Sequence, residues 1–149
     1  MRLDRTWIEE HIPHGGGMCL LDEVVEWDAR HIRCRSGTHR LPDHPLRSQG
    51  RIGIACGIEY AAQTMAVHAA VTGGTAGARP ESGFLAGVRD VRFEVPRLDD
   101  IETDLMCDAA LVAGDRASAL YEFALWSDAR RLLSGRATVV FDSDKRVQL

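Results

Sequence analysis

The chain has 149 residues, 45% of them hydrophobic and 27% charged, a balance that fits a globular domain with one core, 1–149, and excludes disordered and fibrous architectures. Eighteen Lys and Arg against 22 Asp and Glu leave a formal net charge of -4, so the balance suggests neither nucleic acid nor an anionic membrane as partner. The opening run MRLDRTWIEEHIPH is broken by acids and holds no apolar stretch of the signal-peptide kind, so a cytoplasmic location is expected.

Residues 4–11, DRTWIEEH, read as a short amphipathic helix with Trp7 and Ile8 as its apolar contact and Pro13 as its stop. After His14-Gly15-Gly16-Gly17, the run Met18 to Trp27 reads as a strand. Asp28-Ala29-Arg30 then turns into a second strand, His31 to Thr38, with Ile32 and Cys34 alternating. Arg40 to Arg51 is rich in Pro, Asp, His, Ser and Gly and reads as an irregular loop.

Ile54 to Val71 predicts one long helix, apolar nearly all round, with Glu59, Tyr60, Gln63, Thr64 and His68 as its polar members. Ile54, Ile58, Ala61, Met65 and Ala69 gather on one face, and Ala55, Glu59, Gln63 and Ala66 on another. The polar side chains inside it argue for a buried central helix rather than a membrane span, and Thr72-Gly73-Gly74 ends it. Four strands follow: Gly83 to Val95, Glu102 to Ala113, Ala117 to Trp126 and Arg131 to Phe141. The sum is an α+β arrangement, an antiparallel sheet wrapped around one long central helix with a short N-terminal helix in front. Such a sheet has two edges, which predicts dimerisation through an edge or a face.

Cys19, Cys34, Cys56 and Cys107 are scattered among apolar neighbours without Cys-x-x-Cys spacing and read as buried free thiols. His11 and His14 stand three apart but lack a third ligand, so no metal site is expected. The glycine triplet leads into a strand and is not followed by Lys-Ser/Thr, which removes a phosphate loop.

Glu59 is the first candidate for chemistry, because an acid in an apolar helix must be paired, protonated or functional. It could also serve as the partner of Arg47 or Arg51 near a helix N-terminus. Gln63 lies one turn on and could orient Glu59 or a water. His44 sits in the irregular loop ahead of the helix, where site residues are common. His14 is its competitor.

Several segments resemble the hot-dog-fold 3-hydroxyacyl-acyl-carrier-protein dehydratases, both the FabZ type and the ApeP-like proteins of aryl-polyene-type clusters, the latter more closely. Ile12-Pro13-His14 followed by Met18-Cys19-Leu20-Leu21-Asp22-Glu23-Val24 is similar to the family's Leu-Pro-His-Arg opening and its Leu-Leu-x-Asp-Arg-Val strand. Ile58-Glu59-Tyr60-Ala61-Ala62-Gln63 resembles the Glu-Ala-Met-Ala-Gln signature of the central helix, and Gly83 to Phe93 resembles the strand that follows it. Where the FabZ pattern has Gly-His-Phe-Pro and a helix-opening Pro-Gly, this chain has Asp43-His44-Pro45-Leu46-Arg47 and Ile52-Gly53-Ile54.

The resemblance implies a hot-dog dimer, or a heteromer with another hot-dog subunit, that dehydrates a 3-hydroxyacyl group on acyl carrier protein to the trans-2-enoyl thioester without a cofactor. It implies Glu59 as acid and His44 as base, with His14 outside the catalytic pair as in FabZ-type enzymes. Backbone N–H groups at Gly53 and Ile54 would receive the thioester oxygen, and Arg47 would belong to the cationic surface that meets the carrier. Two alternatives stay open on the same fold: a non-catalytic subunit of a heteromeric dehydratase, and an acyl-thioesterase.

Overall fold

The computed structural model describes residues 3–12, 16–73 and 83–141. Helix α1 (Arg5–His11) starts where the Asp4 carboxylate accepts from the Trp7 N–H at 3.1 Å, satisfying a donor that a helix start leaves unpaired. Ile8 carries α1 into the core and is fully buried. The strands are β1 (Glu23–Trp27), β2 (His31–Ser36), β3 (Gly83–Phe93), β4 (Leu105–Gly114), β5 (Ser118–Ser127) and β6 (Arg130–Phe141), and helix α2 (Gly57–Gly73) runs between β2 and β3. All pairings are antiparallel and make one sheet of order β1-β2-β4-β5-β6-β3. This is the sheet-around-a-helix architecture that the apolar pattern predicts. Among the described residues, no helix is long and apolar enough to cross a membrane.

The boundaries differ from the sequence expectation where side chains capture the backbone. The strand expected from Met18 begins at Glu23, after a 3₁₀ turn at Gly16–Met18. The Met18 C=O and the Leu20 N–H are taken by the Gln63 side chain, and the Leu20 C=O by the hydroxyls of Ser36 and Thr38. Backbone groups so engaged are withdrawn from strand pairing. Likewise β2 stops at Ser36, and Thr38–Arg40 coils into a 3₁₀ turn. Ile54–Cys56 is also 3₁₀, so the α-helix proper starts at Gly57; Gly74 lies outside the described residues.

The helix faces also need correcting. The side of α2 turned to the sheet carries Gly57, Ala61, Thr64 and His68, spaced by three or four residues and buried. Ile58, Glu59, Ala62, Ala66, Ala69 and Ala70 are partly exposed on the opposite side. A helix that is apolar all round has no preferred face of its own, and here the polar pair Thr64 and His68 goes inward because the sheet supplies partners. The His68 ring accepts from the Tyr121 hydroxyl at 2.8 Å and donates to the Asp28 C=O at 3.0 Å. Thr64 sits against the thiols of Cys34 and Cys107, which face each other across β2 and β4. Burial pushes the Cys34 thiol up to about 12, so these cysteines are packing groups and not nucleophiles. Cys19 is buried as well, Cys56 is half-buried, and all four are free.

Helix and sheet meet closely at Gly57. A Cβ added there would stand 2.3 Å from Leu133 Cδ2 and 3.2 Å from Leu125 Cδ2, and both leucines are fully buried. Gly57→Ala should therefore destabilise the fold by about 1–3 kcal/mol through overpacking, more than the ~1 kcal/mol that alanine gains in helix propensity. A urea unfolding midpoint unchanged or raised in this variant would contradict the close approach.

Candidate active site

Glu59 and Gln63 are one helical turn apart and meet in the structure: Gln63 Nε2 lies 3.3 Å from Glu59 Oε2. Gln63 is fully buried. Its Oε1 accepts from the Leu20 N–H at 2.8 Å, and its Nε2 also donates to the Met18 C=O at 2.7 Å. Every polar atom of the amide is therefore used, which fixes its orientation without ambiguity. Glu59 is half-buried in the first turn of α2, on the side that the sheet leaves uncovered. The segment ahead of β1 is pressed onto this turn from outside, held also by Arg5, whose guanidinium donates to the carbonyls of Cys19 and Leu21.

His44 goes elsewhere. It is 5% exposed and bonds to Tyr60, the neighbour of Glu59 in sequence but about 100° round the helix. The Leu46 N–H donates to His44 Nδ1 at 3.0 Å, so the neutral ring carries its proton on Nε2 and donates it to the Tyr60 hydroxyl at 2.9 Å. Both ring nitrogens are engaged within the chain.

The other candidates divide in the same way. Arg47 turns back on its own loop, its guanidinium donating to the carbonyls of Leu41, Gly50 and His39, which ties residues 39–50 together. The Ile54 N–H is bonded to the Pro96 C=O at 3.0 Å. Gly53 is exposed, and a Cβ there would meet nothing within 4 Å. His14 lies outside the described residues; three glycines separate it in sequence from Met18, whose C=O is on Gln63. A cleft of about 470 Å³ on the outer face of the sheet, lined in part by His31, Arg92, Asp108, Trp126 and Arg136, contains none of the candidates. No group of three or more His, Cys, Asp or Glu able to hold a metal is found among the described residues.

Sequence reasoning missed Tyr60 and Thr38. Tyr60 is fully buried, and its hydroxyl lies 2.8 Å from Thr38 Oγ1, which donates to the Leu20 C=O at 2.8 Å. The available signal was a tyrosine, an amphipathic group that needs a partner when buried, inside an apolar helix.

His39, His44 and His68 are all buried, and burial is the main cause holding each below the ordinary histidine value. In the unfolded chain they take up protons as the pH drops through about 6.5, while the folded state resists. Their contribution to stability is thus complete above that pH and is lost as the pH falls towards the folded values. The carboxylates held low by partners, Asp99 and Asp104, act below this range. The melting temperature should therefore fall between about pH 7 and 5.5, and more shallowly for His68→Gln; a flat profile in the parent protein would show that these rings are not buried neutral.

A family model described as ApeP dehydratase, ApeP-like, matches residues 6–148. Among solved structures, the dehydratase heterocomplex ApeI:P from Xenorhabdus doucetiae superimposes with a TM-score of 0.81 at 23% identity, covering 94% of this chain and 93% of that one. A hypothetical thioesterase with coenzyme A from Streptococcus pneumoniae TIGR4 gives 0.58 at 12% identity, over 80% and 84% of the two chains. The PaaI protein from the phenylacetic acid degradation operon of E. coli gives 0.54 at 10% identity, over 78% and 80%. The comparison with curated proteins gave no match. The structural likenesses show the fold, which is hot-dog, and the family match covers nearly the whole of it: the chain belongs to the ApeP-like dehydratase family.

Proposed function

We propose that this protein acts in the dehydration of a 3-hydroxyacyl thioester carried on acyl carrier protein, in the cytoplasm, giving the trans-2-enoyl thioester and water. The observation that carries the reading is the Glu59–Gln63 pair on the uncovered side of α2, in a chain of a dehydratase family. In this reaction a base removes the C2 proton, the double bond forms as the C3–O bond breaks, and the hydroxyl leaves as water with a proton from an acid. Glu59 is the acid. Gln63, whose amide cannot turn without breaking three bonds, fixes one carboxylate oxygen.

The base is a histidine, and the bonds that the His44 ring already makes bear on which one serves. For His44 to act, Nε2 would have to exchange its bond to Tyr60 for one to substrate. That commitment favours His14, the other candidate, which stands four positions before the Gln63-bound Met18 in sequence. It equally supports a second reading, in which the chain lends Glu59 to a site whose base comes from a partner subunit. Among the described residues, the sheet does not cover the side of α2 that bears the half-buried Glu59. The strand beside it in sequence, β3, forms one edge of the sheet with Leu85, Val88 and Phe93 exposed, a surface suited to a second hot-dog subunit of the same or another kind. The structural neighbour ApeI:P is itself a heterocomplex.

The deciding experiment is dehydration of a 3-hydroxyacyl carrier protein by the purified chain, alone and with a hot-dog partner. Glu59→Gln should retain the fold and lower turnover by about two to four decades; unchanged turnover would make Glu59 structural. His14→Ala should be folded and inactive, whereas His44→Ala should chiefly lower the melting temperature. If both histidine variants keep full activity with the partner present, the base lies on the partner chain. Sedimentation as a monomer at micromolar concentration, without a partner, would remove the homodimer.

A further inference from the structure

Tyr60 and Glu59 are consecutive on α2 but face different surroundings, one the core beneath the residue 39–50 loop and the other the open side of the helix. Two sets of hydrogen bonds that meet at the Leu20 backbone nevertheless join them, and the His44 ring sets the direction of the first. It starts at the Leu46 N–H, which donates to His44 Nδ1 and so places the ring proton on Nε2. His44 Nε2 donates to the Tyr60 hydroxyl, which must spend its own proton on Thr38 Oγ1. Thr38 in turn donates to the Leu20 C=O. Ser36 Oγ donates to the same carbonyl, so two hydroxyls grip one acceptor. Across residue Leu20, its N–H donates to Gln63 Oε1, and Gln63 Nε2 donates to Glu59 Oε2.

Leu20 is the middle of this arrangement: its carbonyl is held from the β2 side and its N–H is offered to the helix. Residues Cys19–Asp22 lie outside the strands, tied to β2 through the Asp22 N–H on the Arg35 C=O, and at Leu20 itself these side-chain bonds, with the Arg5 contacts alongside, hold the backbone N–H and C=O. His44, Tyr60, Ser36, Thr38 and Gln63 are all buried to 5% exposure or less, where an unmade hydrogen bond is costly and a satisfied network is correspondingly rigid.

We propose that Tyr60 is a positioning residue for the Glu59–Gln63 pair, acting through Thr38 and Leu20, with His44 as the donor that orients the tyrosine hydroxyl. The proposal rests on Glu59 being the acid of the proposed reaction. Tyr60 touches no substrate in it. Its hydroxyl fixes Thr38, which holds the Leu20 C=O, so that the Leu20 backbone offers its N–H to Gln63 and Gln63 presents its Nε2–H to Glu59 Oε2; a carboxylic acid so held by one oxygen needs no reorganisation when it delivers the proton carried on the other. Burial, as the largest cause, keeps the Tyr60 hydroxyl protonated well above the ordinary tyrosine value, in agreement with its part as a neutral donor.

The test is Tyr60→Phe, which keeps the ring and removes the hydroxyl, assayed in the dehydration reaction with whatever partner the parent chain requires. Turnover should fall about tenfold with KM within twofold, Thr38→Val should behave alike, and Thr38→Ser, which keeps a hydroxyl, should restore activity. In the Glu59→Gln background, Tyr60→Phe should have no further effect, because the tyrosine acts through the acid. General damage to the fold would lower both backgrounds equally. A second readout does not depend on activity: in Tyr60→Phe, hydrogen exchange at the Leu20 amide should accelerate and the Gln63 side-chain amide resonances should shift. Unchanged turnover in Tyr60→Phe, an equal loss in both backgrounds, or unchanged Leu20 and Gln63 signals would each overturn the proposal. Full activity of Glu59→Gln alone would instead remove the catalytic reading of Glu59, and the exchange and resonance data would still decide whether Tyr60 sets the position of Gln63.

Discussion

The side-chain amide of Gln63 is the interaction on which the site depends. It is fully buried, and its hydrogen bonds reach three other residues: Met18, Leu20 and Glu59. Two of these are backbone groups of a segment that has no strand of its own to hold it. The amide thus does for residues 18–20 what a neighbouring strand does for β2, and it does so from the helix, one turn from the acid. An amide in water would lose little by turning over; in the interior each of these bonds would have to be broken without replacement. That asymmetry is what makes the placement of Glu59 a property of the fold and not of a flexible side chain.

Around this point the protein uses buried polar groups freely, yet almost all are satisfied. His44 and His68 each pair with a tyrosine and a backbone group. The exception among the described residues is His39 Nδ1, which is buried without a partner while Nε2 bonds to the Ile101 C=O. These pairs tie the loop before α2, the β1–β2 turn and β5 to the helix at separate heights. They restrict how the helix can rotate in the sheet, which the apolar side chains alone do not. Ala, Ile, Val and Met on every side would pack acceptably in several rotations, whereas the His68–Tyr121 and Tyr60–Thr38 bonds are made in one.

The membership of a dehydratase family and the geometry of one chain fit together through what is left open. The sheet covers the side of α2 with Gly57, Ala61, Thr64 and His68, and the segment held by Gln63 lies against its first turns. The remaining side carries Glu59 among alanines. Under the proposed function, a second hot-dog subunit against this side would complete a water-excluding pocket for the substrate. On this view the division between catalytic and supporting subunits rests on which chain supplies the histidine.

Much of this was legible in the sequence. The alternation in the strands, the long apolar run from Ile54 and the turn residues between strands gave the order of elements, because period and turn chemistry are local properties. Glu59 and Gln63 stood out for a similarly local reason: an acid and an amide four residues apart in an apolar helix share a face whatever surrounds them. What only the tertiary structure decided is which face of that helix meets the sheet, and what each polar group finds there. His44 stands in a loop whose composition suits exposure, but the loop folds back over Tyr60 and buries it. Arg47 reads as a partner for Glu59 or as part of a docking surface and is spent on carbonyls of its own loop. The start of β1 is a strand by pattern and not by pairing, since its backbone is captured by Gln63, Ser36 and Thr38 from distant parts of the chain. In each case the deciding partner lies far away in sequence, and the strength of a buried hydrogen bond against an unmade one settles the conformation where local preference leaves several within reach.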